Sequence, residues 1–233
     1  MPSKTEETEK NDSHIGTLKS KGVGQKLITI LWIELALLGL SLIFSLLEVS
    51  VPSIYYDNFE LIDGLIVLLM LPIVLIGAIL FLVWMYRLHF DLSNAFLDYP
   101  ISPFGSLARL IIPIYNIWGI WDTFATIANY FKKETAMTIV NAGISLRSWL
   151  PFLYIAIVVS NITSKIAVRA ATCGDCDAAS FLPIILLAEA ISSVFACVVY
   201  LQMTGSIVSG MNNLTSKNQS LSDNGRGGEN NLY

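Results

Sequence analysis

Four long apolar runs divide the chain between polar ends. Leu27 to Val49, Ile62 to Tyr86, Trp149 to Val168 and Phe181 to Met203 each supply about the 20 residues that a helix rising ~1.5 Å per residue needs to cross the hydrocarbon core of a bilayer. They are too long for membrane barrel strands and lack the alternation such strands need. The stretch from Leu107 to Phe131 differs. Its apolar residues recur at helical spacing, at Leu107, Leu110, Ile111, Ile114, Ile117, Trp118, Trp121, Phe124, Ile127 and Phe131. Arg109, Asn116, Thr123 and Thr126 occupy much of the other side, and Tyr115, Trp118, Trp121 and Tyr130 suit the headgroup level. The pattern predicts an interfacial or partly re-entrant amphipathic helix broken near Pro113.

The expected fold is therefore all-α and membrane-embedded. A bundle of four transmembrane helices fills 27–210, with the interfacial helix 107–131 between the second and third spans. Residues 1–26, rich in Lys, Glu and Ser, and residues 211–233, rich in Asn, Ser and Gly, bury too little apolar surface to fold and are expected to be disordered tails. The amino-terminal stretch is too long and too acidic for a signal peptide's basic region, and no small-residue cleavage site follows the first run, which thus reads as an uncleaved anchor.

Composition agrees. Of 233 residues, 54% are hydrophobic and 14% charged, against about 25% charged in soluble domains, and the mean hydropathy is +0.63. The net charge of -4 says less than where the cations lie. With the amino terminus inside, Lys4, Lys10, Lys19, Lys21, Lys26, Arg87, Arg109, Lys132, Lys133, Arg147, Lys217 and Arg226 are cytoplasmic, 12 of the 14 basic residues, and only Lys165 and Arg169 lie toward the other side. The first external connection, Ser50 to Leu61, carries Asp57 and Glu60 and no cation. Counting 107–131 as a fifth span would worsen the split to 9 against 5. Both ends are expected in the cytoplasm of a cell-membrane protein.

Motifs cluster in the middle of the chain. Trp84-Met85-Tyr86-Arg87 closes the second run and Asn94 follows; then come Ser102-Pro103-Phe104-Gly105, Pro113-Ile114-Tyr115-Asn116, and an aromatic helix with Trp118 and Trp121. This order resembles the bacterial membrane family known as domain of unknown function 4328, whose members pair a Trp-x-Tyr-Arg helix end with a Ser-Pro-x-Gly turn and a Pro-x-x-Asn helix start. The resemblance spans roughly Leu65 to Gly210. The chain departs from the pattern in lacking a Trp-rich run after the Ser-Pro-x-Gly turn and a second Pro after Asn116. The resemblance implies an architecture and brings no catalytic residues.

Polar groups within the runs form stripes. Glu34, Ser41, Ser45 and Glu48 follow helical steps in the first run, as do Arg147, Tyr154, Asn161 and Lys165 in and before the third, and Glu189 shares a side with Ser192, Ser193 and Ala196 in the fourth. A charge inside a membrane needs a partner, and depth along the helices predicts that Lys165 pairs with Glu48 or Glu189. Replacing Lys165 by Met should then destabilise the bundle more than replacing Lys217. Interhelical hydrogen bonding explains such stripes more simply than an ion path. A small transporter or proton-conducting protein using Glu34, Glu189 and Lys165 is the second reading.

Cys173 and Cys176 form a C-x-x-C in the second external connection, suited to a disulfide. A third reading is a membrane thiol oxidoreductase. It lacks a second cysteine pair, since Cys197 stands alone in the fourth run, and Asp175 and Asp177 would weaken the thiolate. Zinc is disfavoured because His14 and His89 fall on the opposite side, and His89 reads as an interfacial residue. No nucleotide loop, catalytic triad or nucleic-acid patch occurs, and Lys132 and Lys133 suit anionic headgroups. The leading reading is non-enzymatic and needs no metal or cofactor: an accessory or scaffold protein whose partners are the bilayer and other membrane proteins. Arg87, Arg109, Pro113, Asn116, Trp118 and Trp121 are its candidate contact residues.

Overall fold

The computed structural model describes residues 18–172 and 181–229, with backbone alone at 113–117, 171, 218 and 221–229. Cys173 and Cys176, like Lys4, Lys10 and His14, lie outside the described residues. Those residues form seven helices: α1 (Lys21–Ser50), α2 (Pro52–Asn58), α3 (Glu60–Ala95), α4 (Pro103–Ile111), α5 (Pro113–Lys132), α6 (Met137–Thr172) and α7 (Leu182–Glu229). No strand occurs among them.

Four helices are long and apolar enough to cross a membrane, namely α1, α3, α6 over Met137–Ala170 and α7 over Leu182–Lys217. Their burial is inverted relative to a soluble protein. In α3, the most apolar of the four, only 11% of the apolar window is buried, and Leu61, Leu65, Leu68, Leu71 and Leu75 are exposed. At about 25 cal/mol per Å² of apolar surface, such a face is costly in water and costs nothing in lipid. The protein is membrane-embedded.

Three of the four helices run well past their apolar segments, a correction to the expected spans. α3 continues beyond Tyr86 to Ala95, burying Leu88, His89, Asp91 and Leu92. α6 begins at Met137, not Trp149, with Ile139, Ala142, Leu146, Leu150 and Leu153 buried at helical spacing. Pro151 consequently lies deep inside α6. Neighbouring helices help satisfy the freed carbonyl in such a position. α7 continues through Met211 to Glu229, so 211–229 is helical where a disordered tail is expected. Its polar composition hides a stripe, Met203, Ile207, Met211 and Leu214, that is buried throughout. At the other end, Lys21 to Lys26 is likewise helical rather than disordered.

The chain divides into two compact units. One comprises Lys26–Phe81 and Ser148–Thr204. Within it Phe44, Tyr55 and Ile66 form a buried cluster, with Leu37, Leu47, Phe59 and Met70 packed around it. The other comprises the described parts of Met1–Gln25, Leu82–Arg147 and Gly205–Tyr233. Its centre is Phe131, fully buried between two glycines. A β-carbon at Gly143 would lie 2.9 Å from Phe131 Cβ, and one at Gly210 would lie 2.9 Å from Phe131 Cδ2. Only hydrogen fits at either position.

Candidate functional site

The most elaborated region outside the apolar runs is the α4–α5 hairpin, and its sequence sets its geometry. Ser102 caps α4, its Oγ accepting from the Gly105 N–H at 3.1 Å, with Pro103 in the first turn where no amide is needed. Ile112 is extended (φ -76°, ψ 116°), and Pro113 opens α5, so the expected break near Pro113 is present and divides the stretch into two helices. The helices pack closely where Gly119 meets Arg109, because a β-carbon there would stand 2.7 Å from the Arg109 carbonyl oxygen.

The stripe expected on one amphipathic helix divides with it. Phe124, Ile127, Ala128 and Phe131 are buried in protein, and so is Thr123, expected on the polar side. Ile111, Ile112 and Trp118 face outward, Trp118 at 81% exposure. Trp121 is 37% exposed, and the Arg147 guanidinium lies 5.0 Å from its ring centroid. Arg109, expected to face lipid or a partner, instead forms an ion pair with Asp122 at 2.5 Å. The side chain of Asn116 lies outside the description.

Beneath this surface is a buried polar layer. His89 is fully buried, not interfacial, and its Nδ1 lies 2.9 Å from the Tyr99 hydroxyl. The Tyr99 and Tyr130 rings meet edge-on at 5.1 Å, and the Tyr130 hydroxyl donates to the Asp98 carbonyl at 2.6 Å. Burial pushes the Tyr99 phenol well above its usual range, against the opposing pull of Arg109. His89 Nε2 and Thr123 Oγ1 are buried without a partner among the described residues.

Asp91 fixes the entry to α1. Its carboxylate accepts from the N–H groups of Lys19 (3.3 Å) and Ser20 (2.8 Å). Arg87, a contact candidate on the sequence alone, donates to the Lys19 carbonyl at 3.4 Å, and the Lys19 ammonium sits 4.1 Å from the Phe90 centroid.

The polar groups of the apolar runs are partnered differently from the sequence expectation. Lys165 is exposed, and the ion pairs among the described residues are Arg109–Asp122 and Lys217–Glu134, so it pairs with neither Glu48 nor Glu189. Glu189 accepts from Ser164 Oγ at 2.8 Å, and Thr163 Oγ1 lies 3.2 Å from Ser192 Oγ. Asn161 is exposed and returns its amide to the Ile157 carbonyl at 2.7 Å. The face of α6 that meets α7 is thus that of Thr163 and Ser164, not that of Asn161 and Lys165. Glu34 is half-buried, its Oε2 standing 4.0 Å from where a β-carbon at Gly77 would be. Glu48 accepts from the Tyr56 hydroxyl at 2.9 Å and Asp63 from the Tyr55 hydroxyl at 2.8 Å. Both phenols are raised, Tyr55 chiefly by burial and Tyr56 chiefly by the bond to Glu48.

Sequence reasoning missed Asp91, Tyr99, Asp122 and Ser164. Only Asp122 carried a local signal, an acid on a helix otherwise short of them. Among the described residues no three His, Cys, Asp or Glu side chains gather closely enough to hold a metal ion. The thiol of Cys197 is buried and donates to the Leu31 carbonyl at 3.5 Å. Neither a family model, a curated protein nor a solved structure matches the chain. The arrangement is one of packing, with Trp118 and Phe104 turned outward on the hairpin.

Proposed function

We propose that this chain is a non-enzymatic accessory or scaffold protein of the cell membrane, with both ends cytoplasmic and the α4–α5 hairpin lying in the headgroup layer. The exposure of Trp118 carries the reading. A tryptophan 81% exposed, on a hairpin that also exposes Phe104, Ile111 and Ile112, needs an amphiphilic surrounding. The cation distribution supports the orientation. Membership of the domain of unknown function 4328 family belongs to the same proposal: its Ser-Pro-x-Gly and Pro-x-x-Asn motifs coincide here with the starts of α4 and α5.

The transport reading has less support, because the Glu189 carboxylate already accepts from Ser164 and Lys165 faces outward. A photoreactive phenylalanine analogue at position 118, irradiated in native membranes, tests the proposal. Adducts to lipid, or to lipid and a co-embedded protein, are expected. Products of reaction with water alone would exclude the interfacial placement.

A further inference from the structure

We propose that Arg147, Lys132 and Trp121 form a binding site for the phosphate headgroup of an anionic phospholipid. The inference deepens the reading above and rests on the hairpin lying at the bilayer surface. Charge accounting leads to it. The carboxylates of Asp122 and Glu134 on and beside α5 are both engaged, the first by Arg109 and the second by Lys217 at 2.6 Å. Arg147 and Lys132 have no carboxylate within ion-pair distance among the described residues.

Packing sets the Lys132 stem against the turn of α6 that precedes Arg147. The stem of Lys132 crosses Gly143, with Cγ 3.2 Å from where a β-carbon would be. Gly143 and Arg147 are one turn apart on the same face of α6, about 6 Å along the axis. Arg147 also lies over the Trp121 ring, 5.0 Å from its centroid, which holds the guanidinium beside an amphipathic indole. In sequence, Arg147 stands two residues before Trp149, where the apolar run begins.

A guanidinium, with a lysine whose stem packs against the helical turn before it, suits a phosphate diester, and guanidinium favours bidentate contact with its oxygens. An acidic protein would match the charges but would leave Trp118, Ile111 and Ile112 in water. A phospholipid satisfies both, placing phosphate on the cations and its glycerol and upper acyl carbons against the aromatic surface.

The test uses the full chain in phosphatidylcholine nanodiscs containing equal mole fractions of either brominated phosphatidylglycerol or brominated phosphatidylcholine. The emission of Trp118 and Trp121 is read as the difference between the wild type and the Trp118→Phe, Trp121→Phe variant. Brominated phosphatidylglycerol should quench that difference more strongly. Arg147→Gln and Lys132→Gln should each lower the preference by about fivefold, the effect of one cation near an anionic surface, while Lys165→Gln leaves it unchanged. Lys132 is exposed, so its variant keeps the fold even if Arg147→Gln does not. Equal quenching by the two lipids, insensitive to both variants, overturns the anionic site and leaves the interfacial placement standing. Absence of quenching by either lipid overturns both. Loss of the lipid preference on adding polyglutamate assigns the cations to an acidic polypeptide and also overturns the proposal.

Discussion

The Phe131 ring lies against the α-carbon of Gly210, with no room between them for a methyl group. Gly210→Ala should therefore destabilise the protein by about 1–3 kcal/mol through overpacking, although alanine is the better helix former. Gly205, five residues earlier on α7, faces open space, and Gly205→Ala should be neutral or stabilising by up to about 1 kcal/mol. Thermal unfolding of both variants in detergent distinguishes the two. Similar melting would mean that the slot around Phe131 is loose.

Lys217 and Lys165 should exchange the ranking that the sequence suggests. Lys217→Met removes the partner of Glu134, whose side chain is only 15% exposed, and should cost about 1–2 kcal/mol. Lys165→Met removes an exposed cation with no carboxylate partner among the described residues and should cost less. Paired melts in one detergent decide it, and a larger loss for Lys165→Met would restore an intramembrane ion pair.

Asp91→Ala should loosen the start of α1. Two backbone amides lose their acceptor, and capping losses of this kind cost about 1 kcal/mol. Hydrogen exchange at residues 19–24 should accelerate while exchange around Phe131 stays unchanged. Uniform acceleration would make Asp91 a global rather than a local support.

High pH should destabilise the fold through its phenols. Tyr55 and Tyr99 have native pKa values raised above the unfolded value of about 10. The unfolded chain therefore gives up these protons first as pH rises. Stability is at its full value below about pH 10 and declines above it. Tyr99→Phe should remove part of that decline, as read from melting temperatures between neutral and strongly alkaline pH. An unchanged slope would show that Tyr99 ionises normally.

Under the proposed orientation, cysteine placed at Ser3 should react with a membrane-impermeant maleimide only after the cells are opened. Labelling of intact cells would reverse the orientation.

Sequence carried the four apolar runs and the break at Pro113, because length and a missing amide are local properties. The continuation of α7 was also written there, in the spacing of Met203, Ile207, Met211 and Leu214, but intervening Asn, Ser and Gly residues dilute it in any average over a window. The inward face of α6 was less legible. Arg147 and Lys165 do share a face, being 18 residues or five full turns apart, but Thr163 and Ser164, which meet α7, lie about 100–200° round the helix from it. Which face turns inward depends on neighbouring helices, and no local pattern records that. The same holds for His89, whose partner Tyr99 lies 10 residues on, past the end of α3, and for Arg109, whose partner Asp122 lies 13 residues away across the α4–α5 break.

The bond from Ser20 to Asp91 spans 71 positions, which orders events during synthesis. At ribosomal rates of about 5–20 residues per second, roughly 4–14 s separate the emergence of the donor from that of its acceptor. Throughout that interval the start of the first helix lacks its Asp91 acceptor. The latch closes only when the second apolar helix has been made, so the leading helix is free to settle its direction before the fold holds it in place.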